Sequence, residues 1–405
     1  MKQITADPIS ESGASAGASQ AAVTRAPALR PSVCIAHSPI IVHCHLRWDF
    51  VWQRPQQIFS RLAEHHPVLF LEQPLSEGST TELRITVPQA NIVRVVPVLP
   101  ADFATSTDAQ CSAVLPMLKR ALRAHPLLAG RFNSPVEWFY SPMTAPLMLG
   151  QFNSVLTVYD CMDELANFRF APPDIAKRER FLMSNADVIF TGGYRLFESK
   201  ARHHDNVHFF GCGVDAEHYA LAQRSDTVLP AEVADLPHPV LGYFGVIDER
   251  LDYDLLSQLA KAFPQGSLVM VGPSAKVDPA TLPRAPNIHW LGQRTYAQLP
   301  PLVKSFDVCL MPFALNEATQ YINPTKTLEY MAAGKPVIST AVPDVVRNFT
   351  PIVQVALDAD EFIAATMLAY TSPDCALIDR GIELARSSSW DAIVAQMRAR
   401  MVGAP

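Results

Sequence analysis

Long hydrophobic runs are missing from this 405-residue chain, although 49% of its residues are hydrophobic. No stretch approaches the ~18 consecutive apolar residues of a membrane-spanning helix, so none is expected. Residues 1–32 are rich in Ala, Ser and Thr and have no apolar segment of the kind found in secretory signals. We therefore expect a disordered tail at residues 1–32 of a cytoplasmic protein. Glycine is also scarce, with 17 residues against 34 prolines, which predicts loops bounded by proline.

Paired cysteines and a positive charge balance are absent as well. The seven cysteines are scattered and form no CxxC pair, which argues against a disulfide framework or a structural zinc site. The net charge of −6 argues against a dedicated nucleic-acid binder, so no nucleic-acid partner is expected. No His, Cys, Asp and Glu spacing predicts a metal site, and no cofactor is expected. Asp358-Ala359-Asp360 matches a DxD pattern, but it opens a late helix and is better explained as an N-cap.

Short apolar runs alternate with amphipathic segments from Val33 onward, and the alternation restarts at Val240. This pattern predicts an α/β fold with two Rossmann-like parallel-sheet domains facing each other across a cleft. The predicted first strands are Val33–Ala36 and Ile40–His45. The predicted divisions are an N-terminal domain at 33–212, a linker at 213–239, a C-terminal domain at 240–388 and a final helix at 389–405.

The segment from Asn323 to Ile338 contains the strongest local signals. Asn323 suits an N-cap, Pro324 the first helical position and Gly334 the residue after the helix. Lys326 lies in the first turn, where the helix dipole disfavours a cation unless an anion lies between them. Glu329 shares its face, so the pair could bind a phosphate and ribose hydroxyls; the alternative is an i,i+3 ion pair on an ordinary helix.

This segment resembles the signature of retaining glycosyltransferases with the two-Rossmann GT-B fold. The family pattern has a Glu, seven residues, a second Glu, and then Ala-x-x-Gly-x-Pro-Val-Ile. The resemblance implies that Glu329 grips the ribose of a nucleotide sugar. The first Glu of the pattern falls on Tyr321, and the nearest acid is Glu317, so the contact to the donor sugar could come from Tyr321, Asn323 or Glu317. Thr325 lies in the same segment and is expected to bind the donor.

Further segments resemble this family in the same order along the chain. They comprise Gly213–Tyr219, Gly242–Gly245 followed by Asp248–Arg250, Leu291–Arg294 and Ser389-Trp390. The resemblance assigns Gln293 and Arg294 to the loop around the base. Gly245 would permit close approach of a ligand, and Arg250 could fork two diphosphate oxygens. The alternative for Arg250 is a surface ion pair with Glu249 or Asp252.

The segment His45–Gln56 packs three large aromatic residues among charged ones, and it is similar to a subgroup of bacterial exopolysaccharide and cell-wall glycosyltransferases. Aromatic rings suit sugar faces, so this loop is predicted to bind the acceptor. The alternative is that the aromatic residues fasten the following helix to the core. The expected acceptor-binding residues are His45, Arg47, Trp48, Asp49, Arg54 and Asp163.

Two other segments leave alternatives open. Asp160 ends a predicted strand and could face the reacting centre or cap the next turn. Basic residues at 119, 120, 123 and 131 interleave with leucines, which suits either a membrane-surface patch or a solvated amphipathic helix.

The resulting hypothesis is a metal-independent retaining glycosyltransferase, in which Arg250, Lys326 and Asp160 are catalytic. Its partners would be a nucleotide-sugar donor, expected to be UDP-linked, and a saccharide or lipid-linked acceptor. It would act in the cytoplasm, with weak contact at the inner face of the plasma membrane. The alternatives are a catalytically silent nucleotide-sugar-binding subunit of a polysaccharide-assembly complex and a sugar-nucleotide epimerase.

Overall fold

The computed structural model describes residues 35–103 and 105–402. The predicted tail, residues 1–32, lies outside the described residues. The first predicted strand, Val33–Ala36, is wrong where it is described, because the Ser38 amide donates to the Ile35 carbonyl and closes a 3-10 turn at Ile35–His37. None of the helices in the described ranges is both long and apolar enough to cross a membrane.

The N-terminal sheet has nine strands in the order β3-β5-β2-β1-β6-β7-β8-β9, with β4 paired to β5. All pairings are parallel except that of β4 with β5. The strands are β1 (Ile40–Cys44), β2 (Val68–Glu72), β3 (Leu75–Gly78), β4 (Glu82–Gln89), β5 (Ile92–Pro100), β6 (Val136–Phe139), β7 (Leu156–Cys161), β8 (Val188–Thr191) and β9 (Val207–Phe209). The helices are α1 (Arg54–Leu62), α2 (Thr107–Ala124), α3 (Ala145–Met148), α4 (Ile175–Asn185) and α5 (Tyr194–Lys200).

The C-terminal sheet has six parallel strands in the order β12-β11-β10-β13-β14-β15. Before it lie α6 (Ala216–Ala220) and α7 (Ala231–Ala234). Its strands are β10 (Val240–Phe244), β11 (Ser267–Val271), β12 (Ile288–Gly292), β13 (Val308–Met311), β14 (Val337–Thr340) and β15 (Gln354–Ala356). Its helices are α8 (Tyr253–Ala262), α9 (Leu299–Ser305), α10 (Lys326–Ala332), α11 (Pro343–Phe349), α12 (Ala359–Thr371) and α13 (Cys375–Ser387), and the chain continues into α14 (Trp390–Val402).

The predicted α/β class and the two parallel sheets are confirmed. The segment predicted as a linker, 213–239, is more than a connection. Val214, Tyr219 and Val233 are buried in the same core as the C-terminal sheet. Tyr219 and Val233 lie on the short helices α6 and α7, and Val214 forms an isolated β-bridge with Ser389.

The last helix, α14, returns to the N-terminal domain. Ser389 caps it, with its hydroxyl accepting from the Ala392 amide. Trp390, Met397 and Met401 pack into the core of the N-terminal sheet, next to α1.

The basic segment contributes to the amphipathic helix α2, in agreement with the second of its two interpretations. Leu118 and Leu128 are fully buried under the N-terminal sheet, while the side chain of Lys119 bonds to Gln151 and that of Arg131 to Asn91. The leucines are therefore used by the core and do not form an exposed apolar face.

Candidate active site

A cleft of about 1160 Å³ lies where segments that follow strands of both sheets meet. Ligands of parallel sheets bind at the carboxyl ends of the strands, so this is the expected place for a site. The cleft is lined by ten of the predicted site residues, namely Arg54, Asp163, Gly245, Arg250, Gln293, Arg294, Asn323, Thr325, Lys326 and Glu329. The other predicted site residues, namely His45, Arg47, Trp48, Asp49, Asp160 and Tyr321, are not part of this lining.

Lys326 faces the cleft from the first turn of α10, close to the end of β10. Its ammonium lies 5.4 Å from the ring centre of Tyr243 and 5.5 Å from that of Phe313. Gly245 has a φ of +146°, and a Cβ atom there would come within 2.9 Å of the Lys326 Cε atom. A Cβ atom there would also lie 2.7 Å from the Tyr243 hydroxyl, and the positive φ itself favours glycine.

Lys326 and Glu329 do not form the i,i+3 ion pair that was the alternative interpretation. Among residues 35–103 and 105–402, no nitrogen–oxygen contact within 4.0 Å joins either of them to an oppositely charged group. Burial lowers the pKa of Lys326, and the nearby positive charge of Arg250 acts in the same direction. Burial raises the pKa of Glu329, while Lys326 opposes that change. An anionic ligand would therefore stabilise the charged form of Lys326, and a hydrogen-bond donor would stabilise the charged form of Glu329.

Arg250 lies in the loop after β10 and is held by Asp248. Its Nε and Nη2 atoms donate to both carboxylate oxygens at 2.7–3.1 Å, and its guanidinium lies 5.7 Å from the ring centre of Phe168 in the N-terminal domain. Burial opposes the charge, but the ion pair with Asp248 outweighs it and raises the pKa of Arg250. Its partner is thus Asp248, rather than either Glu249 or Asp252.

Asn323 is placed between the two domains. Its side-chain Nδ2 atom donates to the Gly192 carbonyl at 3.0 Å, and its backbone carbonyl accepts from the Cys212 thiol at 3.1 Å. The predicted N-cap at Asn323 and the predicted first helical position at Pro324 are wrong, because α10 begins at Lys326 with Thr325 at the N-cap, and the Asn323 side-chain amide donates to Gly192. The Oδ1 atom of Asn323 is buried without a partner in the described part of the chain.

Tyr321 and Glu317 both turn away from the cleft. Tyr321 packs against a cluster of the N-terminal domain that includes Leu196 and Val207. Glu317 is exposed, and its carbonyl accepts from the Asn167 side chain. The position of the first Glu in the family pattern is thus an interdomain packing position in this chain.

Asp160, predicted to be catalytic, is fully buried and paired with Arg54. The guanidinium donates to the Asp160 carboxylate through Nε and Nη2 at 2.9–3.2 Å and to the Phe210 carbonyl through Nη1 at 2.9 Å. In this arrangement Asp160 does not contact reacting atoms, and the guanidinium of Arg54 is not free to bind a ligand. A buried charge needs a partner, and each of these residues supplies the other's.

The charged residues at the start of the loop 45–53 are also paired within their own domain. Arg47 and Arg94 both bind Glu72, and Asp49 pairs with Arg94. Trp48 is 6% exposed and packs edge-on against Phe70, with ring centres 5.1 Å apart. The structure thus agrees with the alternative interpretation for Trp48, which is packing to the core.

Trp52, in the same loop, is the aromatic residue that reaches the cleft. Its ring lies 5.9 Å from that of Tyr296 in the C-terminal domain, and Gln57 Nε2 donates to the Tyr296 hydroxyl at 3.4 Å. The Gln293 side chain donates to the Phe50 carbonyl, while Arg294 pairs with Glu232. Sequence reasoning did not single out Trp52 or Tyr296. Trp52 could have been found from its place among the three aromatic residues of the loop, whereas no sequence signal pointed to Tyr296.

Asp163 and His45 lie on the N-terminal side of the site. Burial raises the pKa of Asp163 to about 6, although Arg250 opposes the shift. Burial also lowers the pKa of His45 to about 4, and Lys276 of the C-terminal domain adds to that effect. Both side chains are therefore within electrostatic reach of the opposite domain.

Tyr219 adds a hydroxyl below Glu329. Its ring is fully buried and stacks parallel to that of Phe244, with centres 6.0 Å apart. The motif Gly213–Tyr219 was the sequence signal for it, although no role for the tyrosine followed from that motif.

Among the residues of 35–103 and 105–402, no three metal-ligating side chains gather into a candidate metal centre.

Part of the chain is similar to known proteins. Residues 238–371 match the family model "Glycosyl transferases group 1". The chain is 29% identical over 165 residues to the "Putative teichuronic acid biosynthesis glycosyltransferase TuaH" of Bacillus subtilis (strain 168). That alignment covers 39% of this chain and 42% of the relative, which is less than half of either protein.

Solved structures of low identity share the whole architecture. Sucrose-phosphate synthase from Thermosynechococcus elongatus superposes with a TM-score of 0.67 at 16% identity, over 90% of this chain and 98% of that one. The trehalose-6-phosphate protein from E. coli bound with UDP-2-fluoro glucose gives 0.64 at 13% identity, over 90% and 99%. The chain thus has the GT-B fold, and its residues 238–371 are similar to the group 1 glycosyl transferases.

Proposed function

We propose that the protein transfers a glycosyl group from a nucleoside-diphosphate sugar, with UDP as the expected carrier, to a hydroxyl of a saccharide or lipid-linked acceptor. The transfer would serve polysaccharide or cell-envelope glycan synthesis, retain the anomeric configuration and need no metal ion. The observation that carries this proposal is the Lys326 ammonium, which lies in the cleft beside Arg250 and Gly245 without a carboxylate partner in the described chain.

Two cations at one end of a cleft suit a diphosphate leaving group. In the proposed step, the bond between the anomeric carbon and the diphosphate oxygen breaks, and a bond from that carbon to the acceptor oxygen forms. The acceptor proton passes to the departing diphosphate, so no protein nucleophile is required. Lys326 and Arg250 would stabilise the negative charge that develops on the diphosphate.

Glu329 and Asp163 have separate roles in this proposal. Glu329 lies one turn along α10 from Lys326 and would accept hydrogen bonds from the ribose hydroxyls of the donor. Asp163 belongs to the N-terminal domain and would orient the acceptor hydroxyl, since its carboxylate lines the same cleft. Closure of the domains around both substrates would exclude water and limit hydrolysis of the donor.

A screen of nucleotide sugars tests the donor. UDP-, GDP- and ADP-linked sugars would be added to the full chain and the melting temperature measured, because a ligand at ~100 times its Kd stabilises the folded state by ~2.7 kcal/mol. We expect a rise with UDP-linked sugars and release of UDP when an acceptor panel is added. Absence of stabilisation by every nucleotide sugar would contradict the proposal.

The second candidate is a nucleotide-sugar-binding subunit without turnover. The packing of Tyr321 against the N-terminal domain favours it, because no carboxylate from 317–321 lines the cleft at the position of the first family Glu. Tight UDP binding without UDP release over the whole acceptor panel would support this candidate instead.

A further inference from the structure

The segment that follows β7 reaches the C-terminal domain through three consecutive residues, Asn167, Phe168 and Arg169. The Asn167 side chain donates to the Glu317 carbonyl at 3.2 Å, and the Arg169 amide donates to the Glu249 carboxylate at 3.2 Å. Phe168 lies between these two residues and is half-buried. The three residues form an interdomain bridge, because each of them contacts the opposite domain.

The loops on which this bridge rests are neighbours in the C-terminal sheet. Glu249 follows β10 and Glu317 follows β13. Two further partners, Arg250 and Lys276, follow β10 and β11. These three strands are adjacent in the sheet, and ligands of parallel sheets bind at the carboxyl ends of the strands. The interdomain bridge therefore contacts loops at the end of the sheet where the donor is proposed to bind.

The ring of Phe168 attracts two cations of these loops. Its centre lies 5.7 Å from the Arg250 guanidinium carbon and 5.0 Å from the Lys276 ammonium nitrogen. A cation within about 6 Å of a ring centre is attracted by the negative face of the ring, and a planar guanidinium can also stack on it. Lys276 thus adds a second attraction that holds the ring against the C-terminal domain, where Arg250 lies.

Arg250 is already fixed along one edge of its guanidinium. The Nε and Nη2 atoms donate to Asp248 at 2.7–3.1 Å, whereas Nη1 makes no hydrogen bond within residues 35–103 and 105–402. An ion pair along one edge lets the planar group swing about that edge. Contact with the Phe168 ring restricts this movement, so Nη1 is left in a defined position for a ligand in the cleft that Arg250 lines.

We propose that Phe168 is a positioning residue for Arg250 in the transfer reaction. Phe168 is not part of the cleft lining, so it acts through the guanidinium rather than on a substrate. Its ring would fix the plane of the guanidinium while the two domains are in contact, and Nη1 would then donate to a diphosphate oxygen of the donor. A group that is held in its bound orientation loses less entropy when it binds. The proposal rests on the proposed function for the identity of this donor.

The test uses UDP and uridine as probes, because only UDP carries the phosphates that Arg250 would bind. Calorimetry of the full chain would measure UDP affinity, and an NMR titration would measure uridine affinity. Phe168→Leu keeps an apolar side chain but removes the ring face. We expect UDP affinity to fall about fivefold, the effect of one cation–π contact of moderate strength, while uridine affinity stays unchanged.

Phe170→Ala is the matched control in the same segment. Phe170 is 77% exposed, and its ring centre lies 5.0 Å from the guanidinium of Arg169, which belongs to its own domain. Its removal should leave UDP affinity unchanged. Phe168→Tyr retains the ring face and should retain the wild-type affinity for UDP.

A double variant shows whether the ring acts through Arg250. Arg250→Gln removes the guanidinium and keeps a donor for Asp248, so it should weaken UDP binding by itself. Adding Phe168→Leu to Arg250→Gln should cause no further loss. Melting temperatures would show that each variant folds, and Phe168→Met, which also lacks a ring, decides if Phe168→Leu does not fold.

Unchanged UDP affinity in a folded Phe168→Leu variant would overturn the proposal, and so would equal losses for UDP and uridine. A further loss of UDP affinity in the double variant would also overturn it, because the ring would then act without Arg250. If the wild type binds no UDP, the proposed function fails together with this proposal. If the wild type binds UDP and Phe168→Leu has no effect, this proposal fails alone, so the two failures can be told apart.

Discussion

The charged residues of the loop 45–54 and those at the start of α10 differ in how they are paired. On the N-terminal side, Arg47, Asp49 and Arg54 each have an oppositely charged partner in their own domain. On the C-terminal side, Lys326 is half-buried and Glu329 is buried in one turn of helix, and no ion pair within 4.0 Å involves either of them in residues 35–103 and 105–402. Charges that are satisfied within the protein support the fold, whereas charges left unsatisfied at a cleft indicate a ligand.

The largest effect should follow from breaking a satisfied pair. Arg54→Ala leaves Asp160 charged and fully buried, and loss of one partner of a buried pair costs about 3–5 kcal/mol of folding stability. Urea denaturation measures the free energy of unfolding. Arg47→Ala is the matched control, because Glu72 keeps Arg94, and it should cost below about 1 kcal/mol. Equal losses in the two variants would contradict the distinction.

Trp48 lies in the core and Trp52 lines the cleft, so the same kind of side chain can be compared at the two places. Trp48→Ala removes a buried core ring and should cost about 3–5 kcal/mol of stability. Trp52→Ala should cost less stability, because the ring is half-buried, but should weaken binding of UDP or of the acceptor by loosening the contact with Tyr296. Melting temperature and UDP affinity would be measured side by side. Similar changes in melting temperature and UDP affinity for both variants would contradict the assignment of Trp48 to the core and Trp52 to the cleft.

The unsatisfied cation is probed by Lys326→Met, which keeps the length of the side chain. Removing one preorganised group that stabilises developing charge costs about 10²-fold in turnover or more, and we expect UDP affinity to fall as well. Lys326→Arg is the control that preserves the charge. Retention of full turnover by the methionine variant would exclude the proposed role.

The same residue predicts a pH dependence. Burial lowers the pKa of Lys326, so its charge disappears at a lower pH than for an exposed lysine. UDP affinity should therefore decrease as the pH rises through that lowered pKa, and the decrease should move to higher pH in Lys326→Arg. Calorimetry between neutral and alkaline pH follows the effect, and a flat profile for the wild type would argue against it.

Glu329→Gln should have a smaller effect, about 1–3 kcal/mol in UDP affinity, the scale of hydrogen bonds to a charged acceptor. The ribose provides the internal control: the wild type should bind UDP more tightly than 2′,3′-dideoxy-UDP, and the variant should bind both about equally. A variant that keeps the discrimination would place the ribose elsewhere.

Chelation should have the smallest effect. If Lys326 and Arg250 stabilise the leaving diphosphate, turnover should remain unchanged in EDTA. Loss of turnover that Mg²⁺ or Mn²⁺ restores would show that the cations of the protein are insufficient.

The sequence predicted best where the signal was local. The predicted strand Ile40–His45 is present as β1, Ile40–Cys44, because an apolar run marks it. By contrast, β4 is half exposed, contains Pro88 and has no apolar run, so its antiparallel pairing with β5 was missed.

Within the site, pairing across long separations was the obstacle. Arg54 and Asp160 are 106 positions apart, and nothing in either neighbourhood indicates that each neutralises the other. Tyr321 stands in a donor-binding motif yet packs on the other domain, which also depends on tertiary structure. Lys326 and Gly245 could be foreseen because the dipole of the helix and the lack of a Cβ atom are properties of single residues.

The return of α14 to the N-terminal sheet has a consequence for biosynthesis. Trp390, Met397 and Met401 complete a core whose strands end at Phe209, so that core stays open while the intervening chain is translated. At about 5–20 residues per second, this interval lasts about 10–40 s. The C-terminal sheet, whose elements follow one another along the chain, can close first. The domain that is synthesised first on the ribosome is thus the one whose core is completed last.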